Sequence, residues 1–322
     1  MKTPRRILIS PLDWGLGHAS RIIPLIDKHL ELGDNVIIAG SGMSLNLLKK
    51  HFPHLHSIEI PSFTMKYSAG KSQVWAVAKA FPRLIYYSIG EHKALKRIVN
   101  EENIDFIISD NRFGLFHKTV PCAYITHQIL IKLPKGWAWL EAFVAFVHRC
   151  IINRFTECWV PDFEDVSESL AGELSHPNKK PRNVKYIGAL SRFQLGVRSE
   201  ELGVRNLVLA ILSGAEPQRT MLEKELLMSL QEEQHEDIIL VQGKVEAEQK
   251  VGKVGKVTVY NYMSTEELQE YILKADKIIC RSGYSSIMDL HALGKLQNAT
   301  LIPTPGQTEQ EYLAEYISNH IK

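Results

Sequence analysis

Five short segments of this chain place glycine, hydroxyl, amide or titratable residues where apolar runs give way to helical patterns. The first is Asp13-Trp14-Gly15-Leu16-Gly17-His18. Gly15 and Gly17 let the backbone approach a ligand closely, and a helix start behind them offers amide N–H groups with partial positive charge. A third glycine is missing, so this is not a dinucleotide fingerprint. His18 supplies an imidazole, the side chain best suited to take a proton from a hydroxyl near neutral pH. A capping or locally bonded histidine is the plainer alternative. Asp110 follows an apolar run at 106–109. It can orient and polarise His18 as the acid of a triad does, or simply close its strand in an Asx turn.

The remaining three segments lie in the second half. In Leu212-Ser213-Gly214-Ala215-Glu216-Pro217-Gln218, Ser213 and Gly214 can offer donors to a diphosphate ahead of a helix start. No Gly-Lys-Ser/Thr follows, so a Walker-type ATPase loop is unsupported. In Cys280-Arg281-Ser282-Gly283-Tyr284-Ser285-Ser286-Ile287-Met288-Asp289, Ser282 and Gly283 begin a second anion-binding turn. Ser285 and Ser286 are expected to cap the next helix, and Asp289 stands where a carboxylate can accept from ribose hydroxyls. The alternative is a capped helix with a solvated aspartate. The last segment, Pro303-Thr304-Pro305-Gly306-Gln307-Thr308-Glu309-Gln310-Glu311, offers Gln307, Glu309 and Gln310 to sugar hydroxyls, unless it only caps a helix.

The elements that must position these residues alternate between apolar runs and helical patterns. The first half reads as strands at 7–10, 36–39, 57–60, 106–109, 123–126 and 158–160. Helices fall at 19–32, 44–51 and 137–155, and 74–100 reads as two pieces because of Pro82 and Gly90. Between 175 and 205 the texture turns polar, and Leu195-Gly196-Val197-Arg198 is nearly copied at Leu202-Gly203-Val204-Arg205. A new alternation follows, with strands at 207–212, 238–241, 257–260, 277–280 and 300–302. Helices are expected at 218–230, 265–275, 285–293 and from 309. A second small repeat, 251–256, reads as a loop. The order predicts two α/β domains with Rossmann-like, doubly wound parallel sheets facing each other across a cleft: 1–190, a linker at 191–206, and 207–322.

Composition narrows the function classes. With 322 residues, 45% hydrophobic and 23% charged, the chain can bury two cores, and a formal net charge of +2 provides no global field for nucleic acid. The four cysteines (Cys122, Cys150, Cys158, Cys280) form no CxxC pair, which fits a reducing cytoplasm better than a zinc knuckle or disulfide scaffold. The basic N-terminus is broken by Ser10-Pro11 too early for a signal peptide, and no run reaches the roughly 20 apolar residues of a membrane span. Residues 74–87 and 137–152 carry aromatics beside Lys79, Arg83 and Arg149. Burial in a core is the commoner fate of such segments, and a seat at a bilayer interface is the alternative.

Taken in order, the five segments resemble the GT-B glycosyltransferases, in the branch that holds the peptidoglycan lipid-linked GlcNAc transferase and the family 28 C-terminal domain. The resemblance covers nearly the whole chain, and its most specific parts are Arg281-Ser282-Gly283…Asp289 and Gly306-Gln307-Thr308-Glu309-Gln310. It implies that Asp289 holds the donor ribose, that Glu309 and Gln310 face the donor sugar, and that the loop of His18 faces the acceptor and supplies the base. It implies a nucleotide-sugar co-substrate, a UDP-sugar by that branch, with no further cofactor and no metal. The expected reaction is inverting transfer to a hydroxyl acceptor, such as a lipid-linked or cell-envelope glycan, by a cytoplasmic protein with peripheral contact on the inner membrane face. The first loop is less glycine-dense than in the peptidoglycan enzyme, so its acceptor does not carry over. The sequence ends at Lys322, soon after Gln310, so the last helix of GT-B relatives is expected to be missing, at a cost in closure or activity. A nucleotide-sugar 2-epimerase-like enzyme and a non-catalytic nucleotide-sugar-binding protein remain open as alternatives.

Overall fold

A computed structural model describes residues 3–61, 74–193, 206–214, 216–244 and 248–320. The near-duplicate at 195–205, most of the expected linker and Ala215 fall outside the described residues, as do the side chains of 74–81. The chain forms two compact units and passes from one to the other at Leu190–Ser191.

The first unit is built on seven strands: β1 (Arg6–Pro11), β2 (Asn35–Gly40), β3 (His56–Glu59), β4 (Phe106–Asp110), β5 (Cys122–Ile125), β6 (Glu157–Val160) and β7 (Val184–Tyr186). They lie in the order β3-β2-β1-β4-β5-β6-β7, every neighbour parallel. Continuous runs such as Ile7-Leu8-Ile9 are buried because helices cover both faces of such a sheet. One core packs Leu8, Ile107, Tyr124, Phe155 and Cys158 with Leu95, Ile98 and Val99, each large side chain contributing roughly 1.5–3 kcal/mol.

The helices are α1 (Leu16–Glu31), α2 (Gly42–His51), α3 (Val74–Glu102) and α4 (Glu141–Ile152). Three expectations are corrected here. The helix after β1 begins at Leu16 rather than Ala19, so His18 sits in its first turn. Residues 74–102 form one helix with Pro82 inside it, not two pieces. A proline costs a helix about 3 kcal/mol, and the buried Leu95, Ile98 and Val99 hold its second half against the sheet. The stretch expected as one helix at 137–155 starts as a 3-10 turn at Lys135–Leu140 and becomes α-helical only at Glu141.

The second unit carries β8 (Leu207–Ile211), β9 (Asp237–Val241), β10 (Val251–Val254), β11 (Val257–Tyr260), β12 (Lys277–Arg281) and β13 (Ala299–Ile302) in the order β10-β11-β9-β8-β12-β13. Its helices are α5 (Gln218–Ser229), α6 (Thr265–Lys274), α7 (Tyr284–Ala292) and α8 (Thr308–His320). The repeat at 251–256, expected as a loop, is instead an exposed edge strand antiparallel to β11, turning at Gly255 with φ +59°. Lysine on such an edge discourages pairing with another chain.

In each unit strand order reverses beside the first strand, between β1 and β4 and between β8 and β12. Parallel α/β sheets bind ligands at the carboxyl ends of the strands flanking such a reversal. The loop of His18 and the end of β4 flank the first reversal, and the loops of Ser213 and Ser282 flank the second.

Candidate active site

In the first unit, Pro11 pairs with Asp110 across β1 and β4, and the amide of Leu12 donates to the Asp110 carbonyl at 3.0 Å. Gly15, at φ 143° and ψ 163°, is a backbone state closed to other residues, and it starts α1 at once with no side-chain cap. The first turn therefore carries Gly17 and His18 over the end of β4. His18 Nδ1 lies 3.0 Å from Asp110 Oδ2. The carboxylate of Asp110 is fully buried, whereas the His18 side chain keeps 19% of its surface exposed.

Asp110 also receives two bonds from Arg21, a residue that sequence reasoning missed. Arg21 Nε donates to Oδ2 at 3.0 Å and Nη2 to Oδ1. The same Nη2 is 3.0 Å from His18 Nδ1, and Nη1 is 3.4 Å from His127 Nδ1. Burial works to raise the Asp110 pKa, but the charges of Arg21 and then His18, with their hydrogen bonds, overcome it and hold the carboxyl below its ordinary value. Its neighbour Asn111 takes the left-handed conformation at φ 56°, and its side chain accepts from Tyr124 Oη at 2.9 Å. The strand thus ends sharply at Asp110. Asp13, the head of the motif, turns elsewhere: its Oδ1 accepts from the Ser44 amide at 3.1 Å, at the start of α2.

In the second unit, Ser213 and Gly214 follow β8, with Gly214 at φ 100°. Gly283 is the N-cap of α7 and no side chain caps that helix, so the expected capping by Ser285 or Ser286 is corrected. Both serines fall inside the first turn, because the extended Gly283 lets the helix begin at Tyr284. Arg281 is buried, and its Nη1 and Nη2 donate to the carbonyls of Pro303 and Gln218 at 2.9 and 3.0 Å. It ties together the loops around β12, β13 and α5, which makes it a scaffold for the turn. Burial lowers its pKa from the ordinary value, with the Glu225 charge opposing.

Ser282 Oγ donates to the Gln310 carbonyl at 2.8 Å, and Gln310 Oε1 accepts from the Thr304 amide at 2.8 Å. Gln307 donates its amide to Thr304, and Glu311, which sequence reasoning passed over, accepts from the Gly306 amide at 2.9 Å. The last loop is therefore held by the first turn of α8, where Glu309 also sits. Asp289 accepts from Ser191 Oγ at 2.7 Å, with Arg192 Nε at 3.8 Å. Burial raises its pKa against the pull of Arg192 and Ser191.

Residues 208–322 match the glycosyltransferase family 28 C-terminal domain. By sequence, no curated protein is matched. In three dimensions the chain is similar to the glycosyltransferase SnogD from Streptomyces nogalater, at 16% identity over 98% of this chain and 85% of that one, with a TM-score of 0.56. It is similar to Arabidopsis thaliana UGT89C1 complexed with UDP-L-rhamnose, at 13% identity over 99% and 83%, TM-score 0.57. A putative UDP-N-acetylglucosamine 2-epimerase from Listeria monocytogenes is similar at 11% identity over 99% and 88%, TM-score 0.53.

Two Rossmann-like units in one chain, each with its loops gathered at a strand-order reversal, define the GT-B fold. The second unit matches a glycosyltransferase family 28 C-terminal domain, and the chain shares the fold of GT-B glycosyltransferases.

Proposed function

We propose that this chain is a glycosyltransferase that moves a hexosyl group from a UDP-sugar to an acceptor hydroxyl with inversion, and that His18 is the base. The observation that carries the reading is the hydrogen bond from His18 Nδ1 to the buried Asp110. With Nδ1 engaged, Nε2 is the nitrogen left to take the acceptor proton. The acceptor oxygen then forms a bond to the anomeric carbon while the bond from that carbon to the diphosphate breaks, and UDP leaves with the electron pair. Negative charge on the leaving diphosphate suits the N-termini of α5 and α7 and the turns at Ser213-Gly214 and Ser282-Gly283. Asp289 is suited to the ribose, and Gln307, Glu309 and Gln310 to the sugar. UGT89C1 was crystallised with UDP-L-rhamnose, which favours a uridine donor.

The test is transfer from UDP-sugars to a panel of hydroxyl acceptors. His18→Ala should lower turnover by about 10²–10⁴-fold while calorimetric binding of UDP stays unchanged. Full turnover in that variant removes His18 as the base. The likeness to a putative 2-epimerase supports a second reading, in which the donor is converted with no acceptor present. UDP-N-acetylglucosamine incubated alone and followed by NMR separates the two.

The acceptor is further proposed to be lipid-linked. Among the described residues no helix is long and apolar enough to cross a membrane. Yet α4 and the turn before it expose Trp139 (74%), Phe143 (64%) and Phe146 (54%). The expectation of burial is therefore corrected for these three aromatics. An exposed aromatic stripe of this kind suits a bilayer interface.

A further inference from the structure

The geometry points to Arg21 as the positioning residue that keeps His18 a neutral base, an inference that rests on the proposed role of His18. His18 Nδ1 has two neighbours at 3.0 Å: Asp110 Oδ2, which only accepts, and Arg21 Nη2, which only donates. The ring nitrogen can satisfy one of them. If Nδ1 carries the proton, it donates to Asp110 and Nε2 keeps its lone pair. If Nδ1 accepts from Arg21, Nε2 carries the proton and cannot act as a base.

Arg21 acts on the ring through its charge, while the second N–H of Nη2 competes with Asp110 for Nδ1. Nε and Nη2 hold both oxygens of Asp110, and Nη1 faces His127. Its permanent charge cancels that of Asp110. A buried carboxylate left with an imidazole alone would draw a proton onto the ring and make His18 its counter-ion. The two residues are three positions apart on α1, so helix geometry sets their separation. Among the described residues, the charged groups against this imidazole are Arg21 on its own helix and Asp110 at the end of β4, with His127 after β5 facing Arg21.

The experiment compares wild type, Arg21→Met and Arg21→Lys by two measurements. One is the pH dependence of kcat/KM. The other is the ¹⁵N spectrum of the His18 ring at pH 7, taken without substrate. Arg21→Met should move the acidic limb of the profile up by roughly one to two pH units, and its ring should appear doubly protonated. Wild type should show the Nδ1–H tautomer. Arg21→Lys, which keeps the charge, should return the limb to its wild-type position at lower kcat. If Arg21→Met does not fold, the paired variant Arg21→Met/Asp110→Asn removes both buried charges, and its ring should be neutral at pH 7. A uniform fall in rate at every pH, with the ring unchanged in every variant, overturns the inference. Absence of transfer in the wild type counts against the base reading alone, since the ring spectrum decides the role of Arg21 without turnover.

Discussion

His18 and Asp110 stand 92 positions apart in the sequence and 3.0 Å apart in space. The parallel pairing of β1 with β4 brings the loop after β1 to the end of β4, and the early start of α1 supplies the imidazole. Asp110→Asn keeps the shape and removes the charge, which leaves Arg21 buried with no carboxylate to balance it. Breaking a buried pair on one side costs about 3–5 kcal/mol. We expect that loss in urea unfolding of the full chain, with a fall in kcat/KM of at least about 10²-fold. A variant that unfolds within about 0.5 kcal/mol of wild type would show that the pair is energetically idle.

Asp289 is engaged by Ser191 Oγ, a partner that a ribose hydroxyl can replace. Hydrogen bonds to charged groups contribute about 1.5–3 kcal/mol. Asp289→Ala should therefore raise the donor KM by roughly ten- to a hundredfold with little change in kcat. Ser191→Ala leaves the carboxylate in place and should not raise it. Equal UDP affinity in Asp289→Ala and wild type would remove the ribose assignment.

The strands were legible wherever burial on both faces writes a continuous apolar run, as at Ile7-Leu8-Ile9 and Ile107-Ile108. β7 and β10 were missed because Val184-Lys185-Tyr186 and Val251-Gly252-Lys253-Val254 are short, carry lysine and sit at sheet edges. The approach of His18 to Asp110 could be anticipated because Asp110 ends one strand and the loop of His18 follows another. Arg21 could not be assigned, although a signal existed: a cation inside the apolar run from Ala19 to Ile26 needs a buried anion. Ser191 and Arg192 gave none, since only the fold brings them to Asp289.

Trp139, Phe143 and Phe146 are exposed on one segment, together with Ala142 and Cys150, and the half-buried Arg149 lies one turn beyond Phe146. Exposed positions rarely change stability by more than about 0.5 kcal/mol. Replacing the three aromatics by serine should leave unfolding unchanged and abolish co-sedimentation with anionic phospholipid vesicles at low salt. Vesicle binding that survives the triple change would move the membrane contact elsewhere, and no binding by the wild type would end the interfacial reading.

His148 on α4 is buried, donates from Nδ1 to the Ile129 carbonyl at 3.2 Å and packs edge-on to Tyr124 and Phe113. Burial is the dominant influence and pushes its pKa from 6.5 down to about 4, with the bond to Ile129 opposing. The folded protein thus refuses a proton that the unfolded chain accepts below pH 6.5. Stability is complete above that value and falls as the pH drops toward 4, by about 1.4 kcal/mol per pH unit and about 3 kcal/mol in all. His148→Gln keeps a donor for Ile129 without the titration. Between pH 7 and pH 5 it should lose about 2 kcal/mol less unfolding free energy than wild type. Parallel losses in the two proteins would place the acid sensitivity on another group.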